Sequence, residues 1–108
     1  MAAATFGLLI AGTEVPSSSG ATFDSLDPSS GEVVATCAAA TAADVDAAVT
    51  AARDAWPAWA ARPAAERGDV LLALAAAVRE NADDLAVLEA RDCGKVLTQA
   101  RADVELAA

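Results

Sequence analysis

Thr41-Ala42-Ala43-Asp44-Val45-Asp46-Ala47-Ala48-Val49-Thr50-Ala51-Ala52-Arg53-Asp54-Ala55-Trp56-Pro57-Ala58-Trp59 is the stretch on which the fold turns. A threonine opens it and an aspartate follows three residues on. In that pattern a hydroxyl caps free N–H groups while an acid meets the positive end of the helix dipole. Val45, Ala48, Val49, Ala52, Trp56 and Trp59 then recur at intervals of three and four, one apolar stripe along a helix. Pro57 is expected to end or kink that helix, because its ring removes a donor and crowds the preceding turn.

Toward the C-terminus the same periodicity predicts three more helices. One starts with Pro63 as its first helical residue, carries Glu66 in its first turn, gathers Val70, Leu71, Leu74 and Val78 on one face, and closes at Asn81. Asn81 also caps the next, with Asp83 and Asp84 in the first turn, Leu85 and Leu88 inward and Gly94 just past the end. The last opens at Thr98 and runs through Val104 and Leu106 to Ala107-Ala108. No Gly, Asn, Pro or basic last turn closes it, so the chain is expected to stop inside a helix.

Toward the N-terminus the composition changes to β-branched and turn residues. Phe6-Gly7-Leu8-Leu9-Ile10-Ala11 reads as one strand, Gly12-Thr13-Glu14 as a turn, and Ser17-Ser18-Ser19-Gly20 as a flexible loop. Phe23 to Leu26 reads as extended, Asp27-Pro28-Ser29-Ser30-Gly31 as a turn, and Glu32 to Cys37 as a second strand whose Val33, Ala35 and Cys37 share a core face. The fold class is therefore α+β, with short antiparallel strands in residues 1–40 and about four helices in residues 41–108.

Alanine fills 32 of the 108 positions, more than half of the 56% counted as hydrophobic. Since a buried methyl contributes only about 0.8 kcal/mol, these residues add helix propensity more than burial, and independent stability is in question. The net charge of −9 argues against a nucleic acid or an anionic membrane held through phosphates. Residues 1–43 hold four acids and no base.

No constellation here carries a reaction. With no histidine and two cysteines there is neither a zinc ligand set nor a Cys-His or Ser-His pair. Gly7, Gly12 and Thr13 mimic the spacing of a phosphate loop but lack its lysine, and no G-x-G-x-x-G occurs. Cys93 precedes Gly94 at a helix end, where the dipole opposes a thiolate, so it reads as structural. Asp44 and Asp46 read as dipole-compensating acids, and Trp56 and Trp59 as core or interface. The first residues lack a basic leader region, and Leu8-Leu9-Ile10-Ala11 is too short to span a bilayer, which makes the cytoplasm the expected compartment and reduced thiols the expected state.

Asp27-Pro28-Ser29-Ser30-Gly31-Glu32-Val33, Ala43-Asp44-Val45-Asp46-Ala47-Ala48-Val49, Ala51-Ala52-Arg53, Trp59, Glu66-Arg67, Leu85-Ala86, Leu88-Glu89 and Arg91-Asp92-Cys93-Gly94-Lys95, in that order, resemble the N-terminal region of the aldehyde dehydrogenase superfamily. The resemblance spans residues 6 to 108. It implies the outer layer of an α/β cofactor domain, within an enzyme several times longer that oxidises aldehydes to carboxylic acids and passes a hydride to NAD or NADP.

The family's nucleophilic cysteine, its glutamate base, its oxyanion asparagine and its dinucleotide unit all lie beyond the matched segment. Cys93 does not correspond to the nucleophile. The resemblance thus implies that this chain alone is inactive and binds no cofactor, that its partner is the remainder of the fold, and that homo-oligomers belong to the full-length form. It also implies a candidate monovalent-cation site made by backbone carbonyls of Ser25 and Leu26 with the carboxylate of Glu105, oxygen ligands that suit a hard cation. The alternative reading is an independent acidic helical module that binds a protein partner through the Val45–Trp59 stripe.

Overall fold

The computed structural model describes residues 4–108. In chain order these form β1 (Ala4–Phe6), β2 (Leu8–Ile10), β3 (Thr13–Val15), β4 (Thr22–Leu26), β5 (Val33–Ala38), α1 (Ala42–Ala61), α2 (Ala64–Glu80), α3 (Ala82–Cys93) and α4 (Leu97–Ala107). The expected α+β class with four helices is what forms. The chain divides into two units, one running to Leu26 and resuming over Val33–Ala61, the other made of Asp27–Glu32 with Arg62–Ala108.

In the first unit β5 is the central strand of three. β4 lies antiparallel to it, with Phe23 opposite Cys37 and Asp24 opposite Thr36, whose hydroxyl donates to the Asp24 carboxylate at 2.8 Å. β1 pairs with the other side of β5 in parallel, a partner that the antiparallel reading did not include. The single strand expected over residues 6–11 is two strands with different partners, β1 on β5 and β2 on β3, parting at Gly7, where a Cβ would come within 2.7 Å of the Val15 carbonyl oxygen. The chain breaks there, and the Gly7 N–H donates to Glu14 across the hairpin of β2 and β3. That hairpin turns on Ala11 and Gly12, both at positive φ, as a two-residue connection between twisted strands requires. Thr13 and Glu14, read as turn, belong to β3.

Among the described residues of this unit Val34 and Ala35 are the buried apolar ones, so β5 is covered on both faces rather than on the Val33–Cys37 face alone. Cys37 is half-buried and Val33 exposed. α1 runs through Pro57 to Ala61, so of the expected end or kink the end does not occur. Arg53, whose carbonyl loses its donor to the proline ring, and Pro57 itself are both exposed. Water can serve that carbonyl, and the surrounding alanines favour continued helix.

The second unit is held by alanine. Ala86 in α3 and Ala100 in α4 are its fully buried residues, and these two helices form its main helix pairing. Leu85 and Leu88, expected inward, are partly exposed, and α2 buries no residue at all. Pro63 stands one position earlier than read, as the extended N-cap of α2. Asn81 gives no side-chain cap to α3. Its Nδ2 instead donates back to the Ala77 carbonyl at 2.8 Å, serving the end of α2. Gly94 closes α3 in the left-handed conformation (φ 71°), as expected, and α4 starts at Leu97 after the extended Val96.

Candidate functional site

A dense polar arrangement sits at the head of α1. Thr41 is the N-cap, its carbonyl accepting from the Val45 N–H at 3.1 Å. The Asp44 carboxylate accepts from the Thr41 N–H at 2.8 Å and its hydroxyl at 3.0 Å, from the Ser18 N–H at 3.2 Å and from the buried Ser17 hydroxyl at 3.3 Å. The Thr41 N–H foremost, then that of Ser18, hold the Asp44 carboxyl down at about 2 against the opposing effect of burial. The serine loop expected to be flexible is thereby fastened, and Gly20 closes it by donating to the Ser17 carbonyl at 2.9 Å.

Among the described residues this is the junction at which a strand runs directly into a long helix, where a dinucleotide fold would seat a pyrophosphate on helix N–H groups. Here the helix head already holds an anion of its own chain, Asp44, and the linking residues Ala39 and Ala40 supply no glycine. These residues do not fit a dinucleotide.

In the second unit the turn after Asp27 is closed by its own carboxylate, which accepts from the Ser29 hydroxyl at 2.6 Å and the Ser29 N–H at 2.8 Å. The hydroxyl foremost holds the Asp27 carboxyl below the usual carboxylate range. Gly94 lies against this turn, and a Cβ there would stand 3.3 Å from the Pro28 ring. Lys95 next to it donates to Glu89 at 2.7 Å and to Asp103 at 2.8 Å, which raises its pKa. Arg101–Asp83 at 3.2 Å and Arg79–Glu105 at 3.9 Å add two further links from α4 to α3 and α2.

Among the described residues, α2 carries open apolar surface. Leu71, Leu72 and Leu74 of α2 are 61%, 71% and 60% exposed. An open groove of about 560 Å³ runs between Gly68, Leu71, Leu72 and Val78 on one side and Ala107 and Ala108 on the other. A second, of about 380 Å³, shares Leu74 and Val78 and reaches Leu85 and Leu88. On α1, Val45, Val49 and Trp56 of the expected stripe are likewise exposed.

The candidate cation ligands fall in both units. Ser25 and Leu26 end β4 at a register irregularity opposite β5, and Glu105 lies on α4 with Arg79 beside it. Among the described residues no three Cys, Asp or Glu side chains gather as a metal would require, and neither cysteine is in a disulfide. Among the described residues no helix is long and apolar enough to cross a membrane. The links through Ser17, Ser18 and Lys95 were not foreseen from the sequence. Lys95 had a signal, a base with acids on both sides within eight residues, while the serines had none, since 26 residues separate Ser18 from Asp44.

Fastened strands, an acid-capped helix and alanine-packed helices with open aliphatic sides make up the two units. The model of the aldehyde dehydrogenase family matches residues 15–108, and the chain belongs to that family. It is similar to the NAD-dependent aldehyde dehydrogenase of Sinorhizobium meliloti, with 34% identity and a TM-score of 0.92 over 96% of this chain and 21% of that one. A protein of Burkholderia cenocepacia assigned as an aldehyde dehydrogenase is 50% identical, with a TM-score of 0.88 over 92% of this chain and 20% of that one. The betaine aldehyde dehydrogenase of Staphylococcus aureus, in complex with NAD+, is 34% identical at a TM-score of 0.86 over 90% and 20%. The chain thus spans about a fifth of the length of these relatives.

Proposed function

We propose that this chain is the N-terminal portion of an NAD- or NADP-dependent aldehyde dehydrogenase, an enzyme that oxidises an aldehyde to a carboxylate, and that it forms the outer layer of the cofactor domain. Its contribution is packing: it caps and shapes the body that binds the dinucleotide, and by itself it catalyses nothing. The observation that carries this reading is the row of leucines on α2 standing in water, in a chain that matches only a fifth of each relative. Burial of such side chains contributes about 1.5–3 kcal/mol each, and this chain leaves that contribution to a surface it does not supply. The occupied head of α1 supports the same reading, since it leaves no place for a pyrophosphate.

The test is a chimera in which these 108 residues replace the matching part of the Sinorhizobium meliloti enzyme. The chimera is expected to reduce NAD in the presence of an aldehyde, while the isolated chain stays at the no-protein blank. An inert chimera, or an isolated chain with activity, overturns the reading. A sharp cooperative melt of the isolated chain, with Trp56 shielded from quencher, supports instead a self-sufficient acidic interaction module.

A further inference from the structure

Gly68 sits inside α2, where a glycine weakens a helix because it has more backbone freedom to lose than alanine. The chain's other five glycines each have a reason in the structure, either a positive φ or a backbone oxygen in the way. Gly68 has neither. It is helical, and a Cβ there meets no atom within 4 Å. What distinguishes it is its place on the wall of the larger groove, beside Leu71, Leu72 and Ala75. A side-chain-free position among large aliphatics lets a second backbone approach a helix closely, within the 8–10 Å between axes typical of packed helices.

We infer that the groove at Gly68 is the seat of an apolar helix from the remainder of the aldehyde dehydrogenase fold, and that Gly68 is its point of closest approach. This rests on the function proposed above. The occupant is apolar because the groove wall is built of leucine, valine, alanine and glycine. It is intramolecular in the full-length enzyme because about four-fifths of each matched relative lies outside this segment.

Gly68→Leu and Gly68→Ala separate the possibilities when made both in the isolated chain and in the chimera. In the isolated chain both are expected to raise helical ellipticity, since nothing obstructs the new side chain. In the chimera, Gly68→Leu is expected to lower the melting temperature and reduce the yield of soluble active enzyme, with Gly68→Ala lying between. Opposite signs in the two contexts support the inference. A chimera carrying Gly68→Leu that melts at or above the unsubstituted one overturns it, and so does a loss of helicity in the isolated chain, which would make the glycine a local requirement. If the isolated chain is a dimer that Gly68→Leu splits while the chimera is unmoved, the seat belongs to a second copy and the inference is overturned. Failure of the unsubstituted chimera is a separate result, and it removes the functional reading underneath.

Discussion

Thr41 and Asp44 satisfy each other at the start of α1: the Asp44 N–H donates to the Thr41 hydroxyl at 3.3 Å and the Thr41 N–H donates to the Asp44 carboxylate at 2.8 Å. These bonds favour the charged acid and hold it at about 2, below its ordinary 3.8. A group with a depressed native value stabilises fully above its unfolded value and loses that effect as pH falls through the native one. Relative to Asp44→Asn, the chain is therefore expected to hold its advantage in urea midpoint above pH 3.8 and to lose it progressively down to about pH 2. A gap that stays constant across that window would rule out the carboxylate as its source.

Removing the other half of the pair needs no titration. Thr41→Ala deletes the cap hydroxyl that Asp44 N–H uses and is expected to cost about 0.5–2 kcal/mol, the range for capping residues. Thr41→Ser keeps the oxygen and should recover most of it. Urea unfolding followed by far-UV dichroism reads both.

How much of this was legible in the sequence follows from range. The cap, the turn at Asp27 and the left-handed Gly94 are local patterns, fixed within a few residues, and all three form as read. The parallel pairing of β1 with β5 joins residues about thirty positions apart and leaves no periodic trace. The break at Gly7 is a change of pairing partner, from β5 to β3, which no local pattern announces. The amphipathic stripes mark helices that form, yet Leu85 and Leu88, expected inward, are partly exposed. Periodicity reports which side a helix would bury, while burial also needs a neighbour, and α2 has Leu71 and Leu72 exposed.

Gly94 is constrained twice, by its positive φ and by Pro28 at 3.3 Å from where a Cβ would stand. Gly94→Ala is expected to lose about 1–2 kcal/mol from the left-handed backbone alone, and more from the contact. Pro28→Ala should relieve the second part only. A double-mutant cycle in urea is expected to show coupling between the two positions. Strict additivity would mean that the turn moves aside without cost.

Lys95 holds acids from two helices, Glu89 of α3 and Asp103 of α4. Lys95→Met is expected to loosen α4, because it removes both ion pairs at once and leaves two carboxylates facing each other. Since the lysine's value is raised, its contribution is present below the ordinary 10.5 and fades as pH climbs beyond it. Hydrogen exchange at the α4 amides should speed up in the variant, and added salt should narrow the difference from the unsubstituted chain. Unchanged exchange would show the two acids to be indifferent to their cation.

Leu72 offers the sharpest contrast between a chain alone and a chain in place. At 71% exposure it contributes little to the isolated segment, so Leu72→Gln is expected to shift stability there by no more than about 0.5 kcal/mol, while lowering the binding of an apolar dye. Within the chimera the same change puts an amide where the enzyme's body should close over the groove. The cost of an unpaired buried polar group, about 1–3 kcal/mol, then applies. The chimera's melting temperature is expected to fall while that of the isolated chain does not. Equal behaviour in both would mean that Leu72 faces water in the enzyme too, and that the covering body reaches α2 only nearer to Gly68.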